Sequence, residues 1–250
     1  MIQLKNSAQL KDMREAGRIT AQALLVAREA IKEGVSTLEI DKRIRSFIES
    51  CGAKPSFLGL YGFPGSACIS VNEQVIHGIP SAKTILQEGD IVKIDVGAFY
   101  KGYHGDSART YGVGHISHEA QSLIDVTKAC FYKGMEQFKE GNRIGDIGFA
   151  VENCAKSNGF SVVRKYVGHG IGRDVHESPD VPNFGTPGRG ARLCTGMVLA
   201  IEPMINVGVG DVIDMSDGWT VLTADRKLSA HYENTVALTS EGPVILTDPD

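Results

Sequence analysis

Ile91-Val92-Lys93-Ile94-Asp95-Val96-Gly97 alternates apolar and charged residues. As a strand it sends Val92, Ile94 and Val96 to one face and Lys93 and Asp95 to the other. The apolar face is expected to pack under helices. A shift of 107 positions carries Ile94 onto Ile201 and Asp95 onto Glu202, inside Val198-Leu199-Ala200-Ile201-Glu202-Pro203. There Leu199 and Ile201 share a face and Glu202 points away from it. Both acids leave the apolar layer, so they should meet on the inner side of one sheet.

The same shift works outside the strands. It carries Lys32-Glu33-Gly34 onto Lys139-Glu140-Gly141, Ile40 onto Ile147, Gly52 onto Gly159 and Gly89 onto Gly196. One match among such common residues is chance; several at one offset, across helical and extended stretches, indicate duplication. Leu10, Met13, Gly17, Ala21, Leu24, Arg28 and Ile31 mark one helix face, entered through Ser7 as a cap and bounded by Gly34. Ser36-Thr37-Leu38-Glu39 is a capping box, and Gly52 ends the helix it opens. Extended stretches follow at Ala67 to Val71, Ile91 to Phe99 and Tyr103 to Val113. The helical period returns at Ala120, Leu123, Ile124, Thr127 and Phe131, then from about Gly145 to Gly159. After it come Ser161 to Val167, Met197 to Val207, Trp219 to Leu222 and His231 to Leu238. Each half alone would leave a sheet face uncovered. The expected fold is therefore one pseudo-symmetric α+β domain over 1–250, with halves at about 7–113 and 117–240 and a curved antiparallel sheet under outer helices.

Composition narrows the function. With 250 residues, 42% hydrophobic and 22% charged, the chain can bury a large core. A formal net charge of -4 offers no general attraction to nucleic acid or to an anionic membrane. The first residues lack the apolar run of a signal peptide, and no later stretch approaches a membrane span, which places the chain in the cytoplasm. The five cysteines, Cys51, Cys68, Cys130, Cys154 and Cys194, are scattered without a Cys-x-x-Cys. They suggest neither a disulfide framework nor a thiolate zinc site. Cys68, in an apolar strand, is read as packing rather than as a reactive thiol.

Asp95 and Asp106 flank a turn near Tyr100 to Gly102. They share a face of the hairpin for any loop of even length and are separated by a loop of three. Alone, Asp106 in Gly105-Asp106-Ser107 is better read as support for a turn. The reading changes when Gly168-His169-Gly170, Ile201-Glu202-Pro203 and His231-Tyr232-Glu233-Asn234-Thr235 are set beside it. Acids and a histidine recur in strand-like context, where an unpaired buried carboxylate is costly. Two Asp, two Glu and one His form an oxygen-rich set suited to a pair of divalent ions, which together can activate a water near neutral pH. No His-Glu-x-x-His, phosphate loop, dinucleotide fingerprint or Gly-x-Ser-x-Gly is present.

Five stretches in register carry a family resemblance that covers nearly the whole chain. They are His77-Gly78-Ile79-Pro80; Lys93 to Gly97 with Gly105-Asp106-Ser107-Ala108-Arg109-Thr110; Gly168 to Gly172 with His176-Glu177; Glu202-Pro203; and Tyr232-Glu233-Asn234-Thr235. On these the sequence resembles the type I methionine aminopeptidases. The resemblance implies the pita-bread fold around a central dinuclear site, with Asp95, Asp106, His169, Glu202 and Glu233 as ligands and Asp106 and Glu233 bridging the ions. It implies Co, Mn, Fe, Zn or Ni as the metal, and hydrolysis of the first peptide bond of nascent chains and peptides with small second residues. Glu202 would handle the proton, and His77 and His176 would bind the substrate amide and oxyanion. Phe57, Leu60, Phe63, Cys68, Val175 and Trp219 would line the methionine pocket. Also implied is a monomer that meets the ribosome transiently, if at all.

The sequence departs from the pattern common in bacterial members. Phe57 replaces a small Cys, Leu60 and Phe63 stand where tyrosines are common, Val175 stands for an aromatic, and His231 and Asn234 replace Gln and His. The donor set stays complete; the changes bear on pocket width, efficiency and metal preference. Two rivals remain. A proline-directed peptidase of the same fold would use the same five ligands, but such relatives usually carry a large N-terminal domain, and here the first helix begins almost at once. A catalytically dead binding module has no reason to keep five ligands and two histidines together.

Overall fold

Asn6 opens the first helix of the computed structural model, which describes residues 2–248. Its side chain accepts the Gln9 N–H while the Gln9 side chain accepts the Asn6 N–H. The serine expected as the cap therefore lies one residue inside α1 (Ser7–Ala30); an amide at position 6 with Gln three residues on completes the capping box first. Ser36 caps α2 (Thr37–Ser50) as expected, accepting the Glu39 N–H. The Glu39 carboxylate, however, turns to Arg43 at 2.7 Å, one turn further on. Ser117 caps α3 (His118–Met135), and α4 (Ile144–Ser157) follows. Among the described residues no helix is long and apolar enough to cross a membrane.

The first half supplies β1 (Lys54–Pro55), β2 (Ala67–Val71), β3 (Gln74–Ile76), β4 (Ile91–Tyr100) and β5 (Tyr103–Gly112). The second supplies β6 (Ser161–Val162), β7 (Gly168–Gly170), β8 (Glu177–Val181), β9 (Val198–Ile201) and β10 (Met204–Asn206). It continues with β11 (Val212–Asp214), β12 (Val221–Thr223), β13 (Ser229–His231), β14 (Asn234–Thr239) and β15 (Gly242–Ile245). All the recorded pairings are antiparallel. β4 is flanked by β1 and β2 on one side and β5 on the other, and β15-β14-β9-β7-β8 forms the matching sheet of the second half. Helices α1 and α2 cover the face of β4 that carries Val92, Ile94, Val96 and Ala98. Phe131 of α3 and Ile144 and Ile147 of α4 pack with Leu199 and Ile201 of β9.

The 107-residue shift holds at the level of backbone geometry. Gly34 and Gly141 have φ of 82° and 92°, and each donates its N–H to a leucine one repeat apart, Leu86 and Leu193. Leu86 and Leu193 return the bond to Val35 and Asn142. Gly52 and Gly159, and Gly89 and Gly196, are likewise paired at positive φ. A side chain would strain each turn, so glycine identity at these positions follows from backbone need rather than chance.

Four expected strands of the second half are shorter or split. Met197 to Val207 breaks into β9 and β10 at Glu202-Pro203, and His231 to Leu238 belongs to β13 and β14, which part at Tyr232-Glu233. The breaks face each other, because Asn234 pairs with Ile201 and His231 with Met204. Pro203 has no N–H to give. The Glu233 N–H leaves its own sheet and donates to Ala108 of β5 at 2.9 Å. Ser161 to Val167 keeps strand geometry only over β6, and the strand expected from Trp219 starts at Val221.

Side chains close the seam between the halves. Thr235 Oγ1 accepts the Asp106 N–H at 3.0 Å and donates to the Asp106 carbonyl at 2.9 Å. Thr110 Oγ1 does the same with His231, at 2.9 and 2.8 Å. Arg109 donates to the carbonyls of Ala108 and Glu233 and to Asn234 Oδ1, and lies over the Tyr232 ring at 4.1 Å. One guanidinium thus holds the strand break that carries Glu233.

Candidate metal centre and substrate cavity

The β4–β5 hairpin turns through Lys101 and Gly102, both at positive φ, so Tyr100 pairs with Tyr103 across a two-residue loop. With this even loop Asp95 pairs with Ala108 and Asp106 with Gly97, which puts the two acids diagonally on one face. Glu202 and Glu233 arrive from the facing strand breaks. Asn183 Nδ2 pins the Glu202 carbonyl at 3.0 Å. Burial pushes the Asp95 carboxyl up to about 7. It pushes Asp106, Glu202 and Glu233 well above the carboxylate range, with neighbouring carboxylates adding to the rise.

His169, on β7, gives its Nδ1–H to the Gly170 carbonyl at 2.9 Å. A carbonyl can only accept, so Nε2 is left with a free lone pair. That nitrogen lies 3.5 Å from Glu202 Oε1 and 3.9 Å from Asp106 Oδ2. Burial lowers the imidazole to about 3, so the ring is neutral and able to bind a cation. Two sets of three donors, Asp106–His169–Glu233 and Asp95–His231–Glu233, each lie within 4.8 Å of one another. Asp95 Oδ1, Asp106 Oδ1 and Glu233 Oε1 are buried without a hydrogen-bond partner. Unpartnered buried carboxylate oxygens around neutral imidazoles fit divalent cations and little else.

A cavity of about 240 Å³ opens onto these groups. Asp95, Asp106, His169, Glu202 and Glu233 share its wall with Phe57, Leu60, Phe63, Cys68 and Trp219. Val175 belongs to the same apolar cluster but does not line the cavity. Cys68 pairs with Asp95 across β2 and β4. Burial and nearby carboxylates raise its thiol well above the usual range, consistent with packing. The start of β2 is fixed from α2, where Asp41 Oδ1 accepts the N–H groups of Ser66 and Ala67 at 2.7 and 2.9 Å. Asp217 places Trp219 by accepting the Trp219 and Thr220 N–H groups.

His77 and His176 also reach the cavity. His77 sits at φ 58°, edge-on to Tyr166 and Trp219. The next residue, Gly78, runs so close to Ile69 that a Cβ would meet the Ile69 carbonyl at 2.3 Å. His176 packs against the His169 ring at 4.5 Å and stacks on Tyr61 at 5.8 Å. Burial lowers His77 to about 4 and also lowers His176. Tyr61 went unnoticed in the sequence. It is 75% exposed at the rim, at φ 51° in a 3-10 turn (Leu60–Gly62), and a lone loop tyrosine has no periodicity to flag it.

Buried acids and neutral imidazoles at the end of an apolar cavity, on two repeated half-sheets, define a metal-dependent hydrolase of the pita-bread fold. Residues 11–240 match Peptidase_M24, metallopeptidase family M24, and the chain belongs to that family, whose members use divalent metal. It is 56% identical to a methionine aminopeptidase of Clostridium perfringens over 247 residues, 99% of either chain. Among solved structures it is similar to a methionine aminopeptidase of Thermotoga maritima, with TM-score 0.97 and 41% identity over 99% of this chain and 100% of that one. A prolidase of Pyrococcus horikoshii matches with TM-score 0.80 at 25% identity, over 99% of this chain but 64% of its own.

Proposed function

We propose that the chain is a methionyl aminopeptidase, removing the first methionine from proteins and peptides with small second residues preferred. In this reading Asp95, Asp106, His169, Glu202 and Glu233 would hold two divalent ions from among Co, Mn, Fe, Zn and Ni. One observation carries it: the two donor sets end an apolar slot of Phe57, Leu60, Phe63, Cys68 and Trp219. A thioether suits such a slot, since it is apolar, polarisable and favours aromatic edges and sulfur neighbours. Phe63 and Trp219 already meet edge-on at 5.0 Å. Identity of 56% with a methionine aminopeptidase over 99% of both chains supports the same substrate, against the partial match to the prolidase.

Bound ions supply a water of lowered pKa and polarise the scissile carbonyl. The residues do the rest. Glu202 takes the proton of the attacking water and returns it to the leaving amine. His77 and His176 donate hydrogen bonds to the substrate amide and to the oxygen on which charge develops. Tyr61, stacked on His176 where both line the cavity, would limit the room there for a second residue. The chain acts as a single catalytic domain and a monomer, in the cytosol, on N-termini leaving the ribosome. Hydrolysis of Met-Gly-Met-Met against Gly-Pro, with Mn or Co added, tests the reading. Release of methionine from the tetrapeptide with little action on Gly-Pro is expected; preference for Gly-Pro overturns it.

A further inference from the structure

His231 ends β13 and is 1% exposed. Neither of its ring nitrogens has a hydrogen-bond partner. That contrasts with His169, whose Nδ1 is committed to the Gly170 carbonyl. A polar ring fully out of water with no partner at either end is costly, and such a group calls for a partner such as a water or an ion. His231 Nε2 lies 3.7 Å from Glu202 Oε2 and 3.9 Å from Glu233 Oε2. Both separations are too long for hydrogen bonds. They are close to the roughly 3–3.7 Å between two donors that share one cation at bond lengths of about 2.1 Å. With Asp95 and Glu233 it forms a set within 4.8 Å, the counterpart of Asp106, His169 and Glu233.

We infer that His231 is a sixth protein donor, binding through Nε2 the ion that Asp95 and Glu233 hold, so that each of the two ions carries one imidazole. The inference rests on the two-ion reading above. The backbone explains how the ring gets there. Thr110 Oγ1 bonds both the N–H and the carbonyl of His231, which fixes the residue while the strand break at Tyr232-Glu233 follows immediately. His231 and Glu233 thus approach the same ion from either side of the break. Without His231 that ion has only carboxylates from the protein. An imidazole moves its preference away from Mn and toward Co, Ni and Zn, for which nitrogen is the better donor. The departure of His231 and Asn234 from the common Gln and His then has two different meanings. Asn234 Oδ1 accepts from Arg109 and Thr247 and is structural; His231 changes the metal chemistry.

The test uses the whole chain with histidine rings labelled in 15N, stripped of metal and titrated with Co(II). Calorimetry counts the ions, and proton NMR counts the contact-shifted imidazole N–H resonances, which only ligated rings give. Two ions and two such resonances are expected in the unaltered protein, and one resonance in His231→Gln. That variant should also lose at least about tenfold in Co affinity at one site, with the other site unchanged and the Co-over-Mn preference reduced. Two ions with a single shifted imidazole in the unaltered protein overturn the sixth donor and leave the two-ion reading standing. Failure to bind a second ion overturns both. The count in the unaltered protein decides the matter even if His231→Gln folds poorly.

Discussion

Asp106 shows how much one carboxylate is asked to do. Taken alone it is a turn residue, yet the two-residue hairpin aims it at Asp95, and Thr235 locks its backbone on both sides. Asp106→Asn keeps the shape and removes the charge. Metal content should fall below two ions per chain and methionine release by about 100-fold or more, beyond the 10–100-fold that loss of an outer-shell partner costs. Elemental analysis and turnover of Met-Gly-Met-Met check both, and full content with normal turnover would refute the bridging role. The carboxyls also set a pH dependence. Without ions, Asp95 is pushed from 3.8 up to about 7, and Asp106, Glu202 and Glu233 rise with it. Below about pH 6.5 the buried histidines act in the opposite sense, neutral when folded and protonated when unfolded; from about pH 6.5 upward the carboxyls outweigh the one lowered lysine, Lys93, the folded chain holds more protons than the unfolded one, and its stability falls as pH rises. The slope is up to about 1.4 kcal/mol per pH unit for each carboxyl that titrates there. Metal-free protein should melt at lower temperature at pH 7.5 than at pH 6.5, and added Co or Mn should remove the difference; a flat metal-free profile in that window would contradict the burial of these groups as acids.

At the scale of elements, helices and strand faces were legible because each is local. Alternation in Ile91 to Gly97 assigned Val92, Ile94 and Val96 to the helix side, where they lie. The cap at Ser36 follows from serine chemistry at a helix start, whereas Ser7 lost that place to Asn6. The four acids and one histidine that share the cavity wall were readable because a charge within an apolar strand demands a reason. The paired strand breaks were not, since Glu202-Pro203 and Tyr232-Glu233 open only because each faces the other and β5 takes the Glu233 N–H. That is a contact between distant segments, and periodicity within either one continues across it. His231 had a signal, its two-residue spacing from Glu233, but that spacing alone also describes ordinary strand alternation. The seam itself can be weighed through Thr235. Thr235→Val keeps the volume and strands the buried N–H and carbonyl of Asp106. At about 1–3 kcal/mol for each unsatisfied group, urea unfolding should show a loss of about 2–6 kcal/mol, and Thr20→Val, which strands the Ala98 N–H and the Gly105 carbonyl in the same way from α1, should cost a similar amount.

For the whole molecule, duplication explains why the centre lies where it does. Asp95 and Asp106 come from the first half and His169, Glu202 and Glu233 from the second, so neither half holds a complete donor set. The halves are also tied by backbone. The Leu246 N–H donates to the Thr235 carbonyl, and Leu246 passes so close to α1 that a Cβ on Gly17 would meet its carbonyl at 2.2 Å. On the proposed two-ion reading, ion binding would join the two halves across the pseudo-symmetry axis and stabilise both together. At a free ion concentration 100 times the dissociation constant, each site adds about 2.7 kcal/mol. For a chain of this length that corresponds to a rise in melting temperature of roughly 5–10 °C, in one transition. Hydrogen exchange gives the sharper measurement. On adding Co, amides of β4 and β5 and amides of β9 and β14 should gain protection in parallel, because opening either sheet breaks the shared donor set. Protection confined to residues 117–240 would mean that the first-half aspartates do not bind the ions, and the central placement of the metal would have to be abandoned.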